Sequence, residues 1–372
     1  SSQKQRNSRF SWRHLNIQSC PDAQECQSGL FVHARLAAFN RIPPGQASEI
    51  FHILEPLSLM LRKNSDLLQY GLLLLLTYLV IFVKLDYFHM RNWDESMFAV
   101  NAYEMLHNKK FFSYYYEGHP DLLNTKPPLI IWLQLLFIKL IGYNEMAIRL
   151  PSAIAGAMCI IIIFLFADKR YGRTTAWLCA LTLLTSQGFV YFHSARGGEA
   201  DELLALFTLL AGLQLINYTT SRKNKYVFYT LTFITLAACT KLYAGLLFVP
   251  AYVLILILHR CFRNFVLNWH FVSGMFLFAF SIVSIIYLRE LDTPSYIHEI
   301  THKDVARIGV PIENHAHAWN FYLDNLSSFR FTFWFIPLII SALFVLWKFK
   351  TGDATQRDIL LLIMAYISII SL

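Results

Sequence analysis

Asp94 and Glu95 stand side by side in Arg91-Asn-Trp-Asp-Glu95. Lys126 comes next, directly before Pro127-Pro128, and Arg149 follows in Ile148-Arg-Leu-Pro151. A carboxylate can take a proton from a hydroxyl acceptor or hold a cation, and a lysine can balance a phosphate. These residues lie between two long apolar segments, where charge is costly and therefore marks function. The stretch 91–151 reads as a chemical face and the remainder as its scaffold.

Each group also has a plainer reading. Asp94 and Glu95 head an amphipathic pattern and could serve only as the cap and first-turn acids of a helix. Lys126 could reach toward lipid headgroups. Arg196-Gly-Gly-Glu-Ala-Asp201 could be a capped turn, with its glycines allowing a tight bend. Lys241, in Thr240-Lys-Leu-Tyr-Ala-Gly245, interrupts a long apolar run and could mark a simple break between two spans. His298-Glu-Ile-Thr-His302 matches the H-E-x-x-H spelling of zinc proteases, with His315 and His317 nearby. Such a site needs a stable helix, a third ligand and a wet groove, so surface histidines are the simpler reading.

The elements that must position these groups are membrane helices. The chain of 372 residues is 56% hydrophobic and 15% charged, and its apolar residues come in blocks, which indicates an all-α polytopic membrane protein. The net charge of +8 sits largely in short loops between spans, so topology explains it without a nucleic-acid partner. Spans are expected at 67–85, 151–167, 174–192, 201–218, 226–240, 242–258, 271–288, 331–347 and from 359 on. Basic residues fill every second loop: Arg62 and Lys63; Lys169, Arg170 and Arg173; Arg222, Lys223 and Lys225; Arg260 and Arg263; Lys348, Lys350 and Arg357. By the positive-inside rule the other loops, and with them Asp94, Glu95, Lys126, Arg196, Asp201, Lys241 and the 298–317 histidine loop, face outward.

Within the first outer loop, 95–107 has apolar residues at helical spacing and is expected to form a helix on the membrane surface. The apolar stretch 129–141, with Gln134 and Lys139 inside it, is short for a span and suits a second interfacial helix. Pro127 and Pro128 fit its first turn and hold Lys126 at the tip, where the positive end of the helix dipole favours an anion. Residues 1–60 are polar and poorly periodic and are expected to be a loosely ordered extension, with 61–372 as one module. The last residues run into an apolar segment that breaks off at Leu372, so a truncated C-terminus is expected. The six cysteines have no metal-finger spacing and read as buried small apolar groups.

The ordered set Asp94-Glu95 with Ala99 and Glu104-Met-Leu106, Lys126-Pro-Pro128 with Trp132, Arg149-Leu-Pro-Ser152, Arg196 with Asp201, and Lys241 resembles the polytopic GT-C glycosyltransferases. The protein O-mannosyltransferase-like family and the bacterial aminoarabinose lipid A transferases are the nearest groups, and the likeness covers about 60–350. It implies a GT-C helical bundle and inverting transfer of a sugar from a polyprenyl phosphate to a lipid, glycan or protein acceptor. It implies an integral protein of a bacterial inner membrane, with the site on the periplasmic face. By motif position Asp94 and Asp201 would be the catalytic acids, and Lys126 and Lys241 would bind the donor phosphate; Glu95 at the cavity lip and Arg196 and Arg307 as further cations are also expected to bind substrate. Thr125 stands where the aminoarabinose transferases have an acid. No metal ligand set is implied, no cofactor is called for, and a divalent cation stays open. A lipid-phosphate transporter is the rival reading, and it would place charge near mid-membrane and on both faces.

Overall fold

The computed structural model describes residues 66–191 and 194–305, together with Leu343. The chain divides into two compact units, Ser1–Tyr70 and Gly71–Leu372. The 1–60 extension, the two spans expected after residue 330, Arg307, His315 and His317 lie outside the described residues.

Helix α1 covers Asp66–Phe82 and ends in a π-helical turn. The first loop then forms α2, Asp94–Asn108, a small antiparallel ribbon of β1, Tyr115–Tyr116, and β2, His119–Pro120, and then α3, Leu129–Ile141. Both helices fall where the apolar spacing places them. Next come α4, Glu145–Tyr171, α5, Arg173–Thr185, and the short α6, Gln187–Val190. The chain continues through α7, Asp201–Ser221, α8, Lys225–Thr240, α9, Val249–Leu258, and α10, Phe262–Val266. The described part closes with α11, Trp269–Asp292, and α12, Tyr296–Glu299, which passes into a π-helical turn.

Among the described residues, α4, α7 and α11 are long and apolar enough to cross a membrane. The expected span 174–192 is broken instead at Ser186, whose backbone is extended, and so becomes α5 and α6. The expected span 242–258 begins with a 3₁₀ turn, and Pro250 in the first turn of α9 leaves a ten-residue helix.

Two apolar clusters hold the bundle. The first joins Phe98, Ala102 and Met105 of α2, Ile130, Ile131 and Leu135 of α3, the early turns of α4, and Leu203 and Leu206 of α7. The second joins the later turns of α7 with α8, α9 and α10, through Leu215, Tyr218, Leu231, Tyr252 and Phe265. α11 lies against α8, and at Gly274 the approach is so close that a methyl group there would sit 2.6 Å from Leu231 Cδ1. Along α11, Phe276, Phe280, Val283, Tyr287 and Leu291 are exposed, as suits a helix wetted by acyl chains.

Helices α7 and α8 are joined by residues 222–224, so they run antiparallel, and the start of α7 lies beside the end of α8. The 21 residues of α7 make it about 30 Å long, the thickness of a bilayer core. Arg222, Lys223 and Lys225 sit at one end, and Asp201 and Lys241 at the other.

Candidate active site

Asp94 opens α2 at its first position and Lys126 stands three positions before the start of α3, so the packing of these helices brings both to one end of the first core. Lys126 Nζ stands 3.1 Å from Asp94 Oδ1, with the side chains 26% and 25% exposed. The ammonium also lies 4.8 Å from the centre of the Phe98 ring. Asp94 caps nothing: the residue at the cap position is Trp93, and no side chain accepts a hydrogen bond there. The carboxylate is committed to the lysine rather than to the helix end. Trp93 itself has φ +88°, a conformation uncommon for a non-glycine residue.

A second pair repeats this arrangement. Lys241, extended just past α8, places Nζ 2.6 Å from Oδ1 of Asp201 at the first position of α7. Again the acid makes no cap bond. Both pairs are partly open to solvent, so their carboxylates and ammonium groups are within reach of a ligand.

The stitching between the pairs is buried. Glu95 is 1% exposed, and its carboxylate accepts from Arg149 Nε at 2.6 Å, from the Arg91 N–H at 2.8 Å and from the Gly198 N–H at 3.0 Å. Gln134 of α3 donates to the Gly198 carbonyl at 2.9 Å and to that of Ile148 at 3.1 Å. Asp94 is thereby tied through its neighbour to the turn that leads into Asp201. Burial works against the Glu95 charge, but Arg149 and the two N–H donors outweigh it and hold the carboxyl below the usual range.

Two residues expected to bind substrate are occupied elsewhere. Glu95 is one, because no face of its carboxylate is free to meet a ligand. Arg196 is the other: Nη1 donates to the carbonyls of Val80, Ile81 and Val83, each at 2.9 Å, and Nη2 to that of Lys84 at 2.8 Å. Val80 and Ile81 belong to the last turn of α1 and Val83 and Lys84 follow it directly, so the guanidinium closes that helix. Arg149 likewise spends its remaining donors on the carbonyls of Leu85, Phe88 and His89. The sequence marks all three as unusual, but not whether a buried charge will face a ligand or a neighbour.

The segment carrying Lys126 is held by residues that sequence reasoning missed. Asn101 donates to Asp121 at 2.9 Å and accepts from Asn124 at 2.8 Å. Asp121 in turn accepts from the Leu123 N–H at 2.8 Å. Arg289 of α11, Tyr114 and Tyr296 complete the support, and Lys110 bridges to Asp292 at 2.6 Å. An asparagine inside α2, another in a loop and an arginine at the end of a span carry no distinctive signal in sequence.

Of the histidine loop, His298 and His302 lie with their rings stacked at 5.8 Å across the passage from α12 into its π turn. Among the described residues no three His, Cys, Asp or Glu side chains come together as a metal site would require. Of the described cysteines, Cys159, Cys239 and Cys261 are buried, as expected for small apolar groups, whereas Cys179 is only partly buried.

Residues 125–287 match the family model described as dolichyl-phosphate-mannose-protein mannosyltransferase. Over 238 residues the chain is 25% identical to an uncharacterized protein of Aquifex aeolicus, covering 64% of this chain and 47% of that one. Over 150 residues it is 29% identical to an undecaprenyl phosphate-alpha-4-amino-4-deoxy-L-arabinose arabinosyl transferase of Pseudomonas savastanoi, 40% of this chain and 27% of that. The chain thus spans less than half the length of these relatives. In fold it is similar to the crystal structure of ArnT from Cupriavidus metallidurans bound to undecaprenyl phosphate, with a TM-score of 0.64, 16% identity, and coverage of 82% of this chain and 60% of that one. The architecture is that of a GT-C helical bundle in an integral membrane protein.

Proposed function

We propose that this chain, a member of the polytopic GT-C glycosyltransferases, moves a sugar with inversion from a polyprenyl-phosphate donor to a lipid, glycan or protein acceptor at the external face of a bacterial inner membrane. The observation that carries the reading is the partly exposed Asp94–Lys126 pair at 3.1 Å, repeated in Asp201–Lys241. The ArnT structure bound to undecaprenyl phosphate supports the choice of donor. Sidedness is supported by α7 and α8, whose linking turn is basic while their other ends carry the acid–lysine pair.

The chemistry follows from the groups present. Asp94 accepts the proton of the acceptor hydroxyl or amine as that atom attacks the anomeric carbon from the face opposite the phosphate. The bond from that carbon to the phosphate oxygen breaks, and the lipid phosphate leaves with the electron pair. Because the leaving group is already an anion at neutral pH, it needs charge balance more than a proton. Lys126 and Lys241 supply that balance from their partly exposed side chains. Asp201 holds Lys241 in place and is the second carboxylate available to the acceptor. Arg307 is proposed as a further contact to the donor. No step is drawn through a divalent cation, and the transporter reading gains no support from the relatives.

The test is transfer of label from radiolabelled polyprenyl-phosphate sugars to membrane acceptors by the full-length protein in proteoliposomes. Asp94→Asn should lower turnover by about 100-fold or more with the fold retained. Undiminished transfer by that variant ends the assignment of Asp94, and no transfer from any polyprenyl-phosphate sugar ends the functional reading.

A further inference from the structure

Arg289 is fully buried, and among the described residues no carboxylate accounts for its place. Its guanidinium carbon lies 3.9 Å from the centre of the Tyr114 ring and 4.0 Å from that of Tyr296. Its edge faces the segment just ahead of α3: Nη1 donates to the Lys126 carbonyl at 2.9 Å and Nη2 donates to the Asn124 carbonyl. The two tyrosines reach the same segment, Tyr114 through its hydroxyl to the Lys126 carbonyl at 2.9 Å and Tyr296 to the Thr125 carbonyl at 2.8 Å. Three consecutive carbonyls therefore accept from one buried cluster, drawn from the first loop, the end of α11 and α12.

Desolvating a guanidinium is costly, and an apolar side chain would fill the same space. Only arginine provides a planar fork that reaches two carbonyls while both faces lie against rings. Arg289 has no exposed surface, whereas the Lys126 side chain keeps 26%. One acts on the backbone and the other is open to a ligand.

We infer that Arg289, seated between Tyr114 and Tyr296, is a positioning residue that fixes Lys126 against Asp94 by gripping the carbonyls of Asn124 and Lys126. The functional part of this inference rests on reading Lys126 as the cation for the donor phosphate. The cluster also couples the segment after α11 to that lysine, since Tyr296 belongs to α12, and the Glu290 carboxylate receives the Ser295 and Ile297 N–H groups at 2.9 and 2.7 Å.

The test has a readout independent of turnover. Full-length protein in lipid nanodiscs is labelled with an amine-reactive reagent, and modification of Lys126 and Lys241 is followed by mass spectrometry. In Arg289→Lys one ammonium cannot span two carbonyls, and Lys126 labelling should rise by about tenfold. Tyr296→Phe, which keeps the ring and removes one hydrogen bond, should raise it by about threefold. Lys241 labelling should stay constant in both, which separates local release from general loosening. In transfer assays Arg289→Lys should lower turnover in the wild-type background and change little when Lys126 is already Gln, the non-additivity of two groups acting through one. Unchanged Lys126 labelling, an equal rise at Lys241, or fully additive losses would overturn the inference. If labelling responds as expected while the wild type transfers no polyprenyl-phosphate sugar, the clamp stands and the functional reading falls.

Discussion

Arg149 and Glu95 form an ion pair at 2.6 Å with side chains 3% and 0% exposed, and through Gly198 it joins the loop before α2 to the turn before α7. Removing one partner leaves an uncompensated buried charge. Glu95→Gln or Arg149→Met should therefore cost about 3–5 kcal/mol of stability, read as a large fall in thermal midpoint in detergent. Retention of the wild-type midpoint by either variant contradicts this account of the pair.

The same carboxyl gives the fold a pH signature. Its folded value lies below its ordinary one, so its contribution is complete above the unfolded glutamate value, about 4.3. That contribution is lost as pH falls through the lower, folded value. Thermal midpoints measured from pH 7 down to pH 3 should drop steeply at the acid end in the wild type and less so in Glu95→Gln. Parallel curves would assign the acid sensitivity to other groups.

Gly198 is where the two loops touch. A methyl group there would meet Ile148 Cγ2 at 2.5 Å and Glu95 Cγ at 3.2 Å. Gly198→Ala should destabilise by about 1–3 kcal/mol and, by moving the turn that leads into Asp201, reduce transfer more than its stability loss explains. Activity equal to wild type in the folded fraction would show that the turn need not be placed so tightly.

Arg196 and Lys241 should separate cleanly. Arg196 closes the end of α1 through four carbonyls, so Arg196→Gln should lower the thermal midpoint and leave the affinity of the folded protein for a polyprenyl phosphate unchanged. Lys241→Gln should do the reverse, weakening that affinity by about tenfold with a small change in midpoint. Equilibrium binding of a fluorescent polyprenyl phosphate, set beside melting curves, reads both, and an exchange of the two phenotypes would reverse the assignments.

Much of the architecture could be read before the structure because membrane spans and interfacial helices announce themselves by apolar length. The helix expected at 129–141 occupies Leu129–Ile141. The acids and lysines that pair were also visible, since Asp94, Lys126, Asp201 and Lys241 are each out of place beside an apolar run. What stayed hidden is the direction in which a charge faces. Glu95, Arg149 and Arg196 look no different in sequence from the acids and lysines that pair in the open, yet their partners are peptide groups and each other, most of them reached across 54 to 116 positions of chain. Arg289 was hidden for the same reason, because its partners lie 163 and 165 positions earlier.

The two acid–lysine couples sum to zero charge, so together they offer an anion no long-range attraction. Each ammonium carries three N–H groups and gives one of them to its acid, so a negative group can settle on either lysine beside the carboxylate. The resting couples thus hold both acids in place while leaving donors to spare, and contact with an anion does not require either acid to let go.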